Sequence, residues 1–378
     1  MSKKTPQIRF KGFTDDWEER KLGDFIDVKS GKDYKHLNSG SIPVYGTGGY
    51  MLSVDRALSD IDAIGIGRKG TIDKPYLLKA PFWTVDTLFY AVPKQNIDLQ
   101  FSLSIFKKIN WKKFDESTGV PSLSKTVINS VGASVPSYEE QQKIGSFFKQ
   151  LDNTITLHQR KLDLLKEQKK GFLQKMFPKN GSKVPELRFE GFSDDWEERK
   201  LNEVSDIYDG THQTPKYQDN GVMFLSVENI KTLTSNKFIS REAFEDEFKI
   251  RPQRGDVLMT RIGDIGTANV VETDEDLAYY VSLALFKSEE LNPYFLQASI
   301  YAPFVQDQIW KRTLHIAFPK KINKNEIGQV PINVPTLPEQ TKIGSFFKQI
   351  DDTIDLHQRK LDLLKEQKKG FLQKMFVS

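Results

Sequence analysis

Apolar residues recur in the middle of the chain at alternating steps of four and three residues. A heptad pattern of this length is typical of a coiled coil and predicts one helix from about residue 139 to 177, about 58 Å long at 1.5 Å per residue. Two polar residues, His158 and Lys169, interrupt the apolar seam. They either lie where the helices diverge and reach toward solvent, or they select the register of the helix pair. The ten seam positions are Ile144, Phe148, Leu151, Ile155, His158, Leu162, Leu165, Lys169, Phe172 and Met176.

This helical segment occurs twice, because residues 157–177 return unchanged at 356–376 and the sequence KIGSFFKQ also occurs upstream of each copy, at 143–150 and 342–349. A shorter segment at 6–22 also returns, with few changes, at 185–201. A duplicated frame around two unlike inserts predicts two units of one design. Two identical helices most simply bury their seams against each other. We expect an antiparallel pair, with a pseudo-twofold axis and the inserts at opposite ends. A parallel pair would place the inserts side by side.

Both copies of the long helix carry start signals. Proline followed by Ser137 or Thr336 predicts each helix start, and Glu140 and Glu339 have the spacing of a capping box. An acidic, aromatic segment around Trp17 and its counterpart begins each half. We expect the tryptophan of this segment to pack near the helix ends.

Each insert combines helical and strand patterns, which predicts a mixed α/β or α+β fold. Apolar runs predict strands at 63–66, 85–92, 222–227, 257–262 and 277–286, and helices at 99–108 and 294–311. Glycine-containing turns at 67–71 and 263–267 each follow a predicted strand, which indicates one fold with divergent loops. The predicted domains are the first repeated element and first insert (1–138), the first helix (139–177), a linker with the second repeated element (178–201), the second insert (202–338) and the second helix (339–378).

Composition narrows the class of protein. The chain has 378 residues, 38% of them hydrophobic, and no cysteine, which excludes disulfides, thiolate zinc sites and cysteine nucleophiles. Its five histidines lack metal-ligand spacing, so no metal site is predicted. The start of the chain does not resemble a leader and no apolar run is long enough for a membrane span, so we expect a cytoplasmic protein with no membrane contact. A net charge of +4 is weak evidence for a polyanionic partner.

The sequence contains one near-match to a catalytic motif. Residues 292–295 (Asn-Pro-Tyr-Phe) resemble the Asn-Pro-Pro-aromatic signature of adenine methyltransferases but lack the second proline. Asparagine followed by proline is also an ordinary helix start. The glycine-rich segment 45–49 lacks the strand-loop-helix context of a cofactor site, and no Gly-x-x-x-x-Gly-Lys-Ser/Thr sequence occurs. No catalytic residue is therefore predicted.

The layout resembles the specificity (S) subunit of type I restriction-modification systems. Besides the two helices and two inserts, the resemblance rests on Pro-Val-Tyr-Gly at 43–46, Gly-Arg-Lys-Gly at 67–70, and Glu-Gln-x-Lys-Ile-Gly at 140–145 and 339–344. It implies two globular target-recognition domains, each reading one half of a bipartite target in double-stranded DNA. It also implies that the two long helices form an antiparallel coiled coil that sets the spacer between the halves.

The same resemblance implies a larger assembly. Two methyltransferase (M) subunits would dock on the helices, and restriction (R) subunits would join them. S-adenosylmethionine, ATP and Mg belong to these partners, so the chain itself is expected to be non-catalytic and to bind no cofactor. Two other functions stay open: a DNA methyltransferase with its own catalytic centre, and a coiled-coil scaffold whose inserts bind protein.

Loops of both inserts supply candidate DNA contacts, because Lys and Arg can pair with guanine, Gln with adenine and Asp with cytosine in the major groove. Such loops are also often only solvated. The second insert holds more Asp and Glu than Lys and Arg, which favours polar readout there. The candidates in the first insert are Lys29, Lys32, Tyr34, Lys35, His36, Arg68, Lys69, Ser117, Thr118, Ser122 and Lys125. Those in the second insert are Thr211, His212, Gln213, Thr214, Lys216, Tyr217, Arg261, Asp264, Arg312, His315, Lys320 and Lys321.

Overall fold

A computed structural model describes residues 5–377, and the chain divides into two compact units. The first unit comprises Met1–Arg160 and Arg359–Ser378, and the second comprises Lys161–Gln358. The two long helices, α4 (Tyr138–Lys175) and α10 (Leu337–Lys374), each contribute one section to both units. Each unit therefore contains one insert together with a section of each long helix.

The first unit contains three sheets. One is four-stranded and antiparallel in the order β2-β8-β5-β6, one is three-stranded in the order β4-β3-β7, and β1 pairs with β9. The elements are β1 (Glu18–Lys21), α1 (Leu22–Phe25), β2 (Ile26–Ser30), β3 (Ser39–Gly46), β4 (Gly49–Val54), β5 (Ala63–Gly67), β6 (Tyr76–Leu78), β7 (Trp83–Thr84), β8 (Leu88–Pro93), α2 (Leu99–Lys108), a 3-10 helix (Trp111–Phe114), α3 (Lys125–Ser130) and β9 (Gly132–Val135).

The second unit repeats this topology. Its sheets have the orders β11-β17-β14-β15, β13-β12-β16 and β10-β18, and the parallel pair of the three-stranded sheet, β12 with β16, matches β3 with β7. The elements are β10 (Glu197–Lys200), α5 (Leu201–Val204), β11 (Asp206–Asp209), β12 (Val222–Leu225), a 3-10 helix (Val227–Asn229), β13 (Phe238–Ile239), α6 (Arg241–Glu247), β14 (Val257–Thr260), β15 (Ala268–Val270), β16 (Leu277–Tyr279), β17 (Leu283–Lys287), α7 (Pro293–Tyr301), α8 (Pro303–Arg312), α9 (Lys324–Gly328) and β18 (Pro331–Val334).

Most of the strands and helices predicted in the inserts are confirmed, with ends no more than three residues from those predicted, but two predictions are wrong. The apolar run 277–286 is not one strand, because the chain leaves β16 at Tyr279 and enters a different sheet as β17. The predicted helix 294–311 is two helices, because Pro303 cannot donate a backbone hydrogen bond and holds Ala302 in an extended conformation.

The long helices pair antiparallel within the first unit. Phe147 contacts Phe371 with ring centroids 5.0 Å apart, and Asp152, further along α4, pairs with Lys368, which precedes Phe371 on α10. Lys107 also bonds to Asp152 at 2.7 Å. Burial opposes the ionisation of Asp152, but the two lysines hold its pKa below the usual value. The first unit therefore holds an ionised carboxylate between its sections of α4 and α10.

The second unit has the same antiparallel arrangement. Phe172 contacts Phe346 at 4.9 Å, and Lys169 pairs with Asp351 at 2.5 Å. The predicted antiparallel pairing is thus confirmed in each unit. Lys169 does not simply reach toward solvent, because its ammonium group is bound by the facing helix and lies 5.0 Å from the ring of Tyr301. Burial raises the pKa of Asp351.

The repeated Glu-Gln-x-Lys-Ile-Gly phrase joins each long helix to its insert. In the first unit the buried Gln141 accepts a hydrogen bond from the backbone of Asp98 and donates one to the carbonyl of Pro136, both at 3.0 Å. Glu140 donates its backbone N–H to Ser137 at 3.4 Å, as predicted for a helix start, but its carboxylate bonds to Arg9. The repeated sequence therefore fixes the start of the long helix to the segment before α2, and we call it the clamp.

The aromatic repeat packs where predicted. In the first unit Trp17 contacts Phe101 and Phe376, with centroids 6.0 and 6.1 Å apart. In the second unit Trp196 contacts Phe177 at 5.9 Å. Phe376 and Phe177 lie two residues after the ends of α10 and α4, so the prediction of packing near the helix ends is confirmed.

Candidate nucleic-acid interface

A tight turn at the end of β5 presents two basic side chains in the first unit. The backbone of Arg68 donates to the carbonyl of Thr87 at 2.8 Å and accepts from Leu123 at 2.9 Å. The turn is therefore held from both sides, while the side chains of Arg68 and Lys69 are exposed. A fixed backbone with exposed cationic side chains suits contact with a polyanion.

This turn brings Arg68 and Lys69 close to two other predicted contacts, Ser122 and Lys125. Lys69 forms an isolated β-bridge with Ser122, and both line an open cleft that Arg68 and Lys125 also line. Acidic groups also line the cleft. One of them, Glu116, accepts the backbone N–H of Ser124 at 2.7 Å. Mixed donors and acceptors are the groups that distinguish base edges.

The loop that carries Ser117 and Thr118 is closed by Asp115. The Asp115 carboxylate accepts backbone hydrogen bonds from Ser117 at 3.0 Å and Ser122 at 2.9 Å. Backbone donation from Ser122 and Ser117 holds the pKa of Asp115 below its usual value. The sequence analysis missed this organising role, although an aspartate two residues before a serine is a common turn signal.

The predicted contacts between Lys29 and His36 lie on a separate segment, which comprises the end of β2 and the loop after it. Gly31 is required there, because a Cβ atom would lie 2.0 Å from the carbonyl oxygen of Val85. Lys32 is fixed by backbone bonds, and the indole of Trp83 donates to its carbonyl at 2.8 Å. Tyr34 is half-buried and packs in a hydrophobic cluster, so its placement favours anchoring the loop. The members with exposed side chains are Lys29, Lys32, Lys35 and His36.

Backbone hydrogen bonds define the equivalent turn in the second unit. Arg261 accepts from Ile322 at 2.9 Å, as Arg68 accepts from Leu123, and Gly263 donates to Lys320 as Gly70 donates to Pro121. The predicted match of residues 67–71 with 263–267 is therefore displaced by three residues. Both turns contain arginine and glycine, and the backbone bonds align Arg68 with Arg261 and Gly70 with Gly263.

Arg261 is not presented on the surface, unlike its counterpart. Its side chain is 8% exposed, its guanidinium pairs with Asp209, and Nε donates to the carbonyl of Ile322 at 3.1 Å. These bonds connect the end of β11 to the segment before α9. This placement does not support the prediction that Arg261 contacts DNA and indicates a structural role.

Two open clefts in the second unit contain other predicted contacts. Asp264 and Lys320 line one of them beside Trp310. His315 packs against Trp310 with centroids 4.1 Å apart, and Arg312 donates to the side chain of Gln308 at 2.8 Å. The exposed Lys321 bridges back to Leu314.

The second of these clefts lies beside the glycine-containing loop that follows β11. Thr211, His212 and Gln213 line it, and Lys249 and Lys324, which the sequence analysis did not single out, line it as well. Periodicity could not identify these lysines, because only the fold brings them to the loop. The remaining candidates Thr214, Lys216 and Tyr217 are exposed.

The near-match to a catalytic motif is an ordinary helix cap. The side chain of Asn292 accepts from the backbone of Tyr294 and of Phe295, both at 3.1 Å, at the start of α7.

Within residues 5–377 no three histidine or acidic side chains gather as a metal site. In the same range none of the helices combines the length and apolar character of a bilayer crossing.

Comparison with known proteins places these features in a family. The chain is 23% identical over 406 aligned positions to the type I restriction enzyme MjaVIII specificity subunit of Methanocaldococcus jannaschii, covering 95% of this chain and 91% of the relative. It is 24% identical to the putative MjaX specificity subunit of the same organism, covering 71% of this chain and 63% of the relative.

A solved structure shares the fold. The crystal structure of the type I restriction-modification S subunit from M. genitalium aligns with a TM-score of 0.76 at 14% identity and covers 99% of both chains. The family model of the type I restriction modification DNA specificity domain matches residues 14–167 and again 193–366. Because the two matches cover most of the sequence, the chain belongs to the family of type I restriction modification DNA specificity domains.

Proposed function

We propose that this chain is the non-catalytic specificity subunit of a type I restriction-modification complex and that each unit reads one half of a bipartite target in double-stranded DNA. The observation that carries the proposal is a duplicated arrangement with different side chains. In each unit a turn after a central strand is bonded to the segment before a short helix, and polar residues line an open cleft there. The same scaffold presents Arg68 and Lys69 in one unit and Asp264 and Lys320 in the other.

Two DNA-binding units in one chain bind a duplex more tightly than either unit would alone, even when each binds weakly. Once one unit is bound, the second contact is intramolecular, and its effective concentration depends on the linkage. Both long helices contribute to both units, so the linkage is helical and not a flexible linker. A helical linkage makes the gap between half-sites part of the recognised sequence.

The partners follow from the same proposal. Two methyltransferase subunits would dock on the long helices and supply S-adenosylmethionine, and restriction subunits would supply ATP and Mg chemistry. No residue of this chain is assigned to those cofactors. The complex would act in the cytoplasm on the host's own DNA and on incoming DNA.

Exchange of one insert tests the two-reader proposal. Replacing only residues 23–138 with those of a relative should change one half-site and leave the other half-site and the gap unchanged. Selection of duplexes from a random pool by the parent and the chimera measures this. Two changed halves would contradict the proposal, and a protein-binding scaffold would enrich no gapped motif from the pool.

The basic turn gives a residue-level prediction. The double variant Arg68→Ala, Lys69→Ala should bind the selected duplex roughly 10-fold more weakly and show a shallower dependence of affinity on salt, because two cations near phosphates or bases are lost. Titration of labelled duplex at several salt concentrations measures both effects. Lys79→Ala is the matched control, since Lys79 is 63% exposed and pairs with Asp62 outside the cleft. If Lys79→Ala weakened DNA binding as much as the double variant does, the cleft would not be the site of DNA contact.

A further inference from the structure

The second unit exposes an apolar loop tip. Ile316 and Phe318 are 100% and 104% exposed, which makes them the most exposed large hydrophobic side chains in the described part of the chain. A phenylalanine ring is usually at least partly covered, because each buried aromatic side chain removes a large apolar area from water. A fully exposed pair on one loop indicates a surface that becomes covered in a complex.

Backbone bonds hold the base of this loop. Leu314 donates to Lys321 and Gly263 donates to Lys320, each at 2.8 Å. Trp310 packs below the tip against His315 at 4.1 Å, and the Lys320 ammonium lies 4.7 Å from its ring. The two apolar side chains therefore project from a supported base.

The charge around the tip identifies the class of partner. Lys320 and Lys321 follow Phe318 almost directly in the sequence, and both are exposed. Lys320 also lines the cleft proposed above to read bases. Apolar side chains beside cations match a duplex, in which stacked bases lie between phosphate backbones, better than they match an apolar protein surface.

We propose that Ile316 and Phe318 form a wedge that enters a groove of the second half-site and partly unstacks one base step, while Lys320 and Lys321 contact the flanking phosphates. The inference rests on the proposed function and adds DNA deformation to it. Apolar side chains inserted in this way kink the duplex, and flexible pyrimidine–purine steps deform most easily. This half-site would then include a preference that no hydrogen bond to a base explains.

The equivalent loop of the first unit differs. Residues 115–122 carry a smaller apolar side chain at the tip, Val120, which is 62% exposed. The loop is also closed by hydrogen bonds from Ser117 and Ser122 to Asp115. We therefore assign the wedge to the second half-site alone.

The experiment uses the full chain and a duplex selected by it from a random pool, with 2-aminopurine placed in turn at each position of the second half-site. Wild-type protein should raise 2-aminopurine fluorescence at one step. The variant Ile316→Ala, Phe318→Ala should lose this signal and bind about 10-fold more weakly, the loss expected for a stacking contact. Phe318→Leu should keep most of the signal, and Val120→Ala should leave it unchanged.

Several results would overturn the wedge. It is wrong if wild-type protein unstacks no base, or if the double alanine variant keeps both affinity and signal. A double variant that binds DNA normally but no longer associates with the methyltransferase subunit would show that the tip contacts protein. If wild-type protein selects no gapped motif at all, the proposed function fails together with the wedge. Thermal unfolding of the variants should be unchanged, because both side chains are exposed.

Discussion

Replacing Arg188 with methionine is expected to lower the free energy of unfolding by about 3–5 kcal/mol, the usual cost of leaving a buried charge without its partner. Arg188 bonds to Glu339 through two parallel contacts, Nε to Oε1 at 2.7 Å and Nη2 to Oε2 at 2.8 Å. The Glu339 side chain is only 1% exposed, so water cannot replace the guanidinium. The bond to Glu339 raises the pKa of Arg188, so the guanidinium stays protonated at every ordinary pH. Urea unfolding followed by circular dichroism measures the loss.

The double variant Arg188→Met, Glu339→Gln should recover a large part of this stability, because the stranded charge is then removed. Arg9 and Glu140 form the same bidentate pair in the first unit, with both contacts at 2.8 Å, and provide an independent repeat. Lys179→Met is the exposed control, since the Lys179–Glu186 pair lies in solvent and its loss should change stability far less than Arg188→Met does. A loss below about 1 kcal/mol for Arg188→Met would contradict the assigned role of the pair.

The parts of the fold that were predictable are those with a local pattern. The heptad steps around Phe148 and Leu162 identify the helix seam, because each side chain on a helix has a fixed direction relative to its neighbours. The N-cap before α2 is equally local, since Asp98 accepts a hydrogen bond from Phe101 only three residues later. Such signals need no knowledge of the remainder of the chain.

The parts that were not predictable depend on distant contacts. The residues that flank Lys169 in sequence do not distinguish it from a solvated lysine. Its partner Asp351 lies on α10, which only the fold brings next to it. Arg68 and Arg261 occupy equivalent turns, yet Arg68 is exposed, whereas Arg261 is buried in an ion pair with Asp209. Residue types in a loop therefore indicate a candidate surface but not which side chains point away from it.

The same limit applies to specificity. The sequence identifies the helices and the turns that carry candidate contacts, since these are common to both halves. Readout depends on side-chain positions set by loop packing, as with Tyr34, which anchors its loop.

The glycine of the repeated clamp gives the second large expected effect. Gly344→Ala should destabilise the chain by roughly 1–3 kcal/mol, the usual cost of overpacking a close contact. A Cβ atom there would lie 2.4 Å from Oδ1 of Asn292 and 2.8 Å from the backbone nitrogen of Phe295. The added methyl group must displace the helix or break the cap of α7. Chemical unfolding monitored by tryptophan fluorescence measures the change.

Gly171→Ala is the matched control, because Gly171 also lies in a long helix of the second unit and a Cβ atom there would meet no atom within 4 Å. This change should stabilise the chain by about 0.5–1 kcal/mol, since alanine loses less backbone entropy than glycine in a helix. If the two glycine-to-alanine substitutions change the free energy of unfolding in opposite directions, the effect of close packing is separated from that of helix propensity. If Gly344→Ala also stabilised the chain, α10 would not lie against the start of α7 as described.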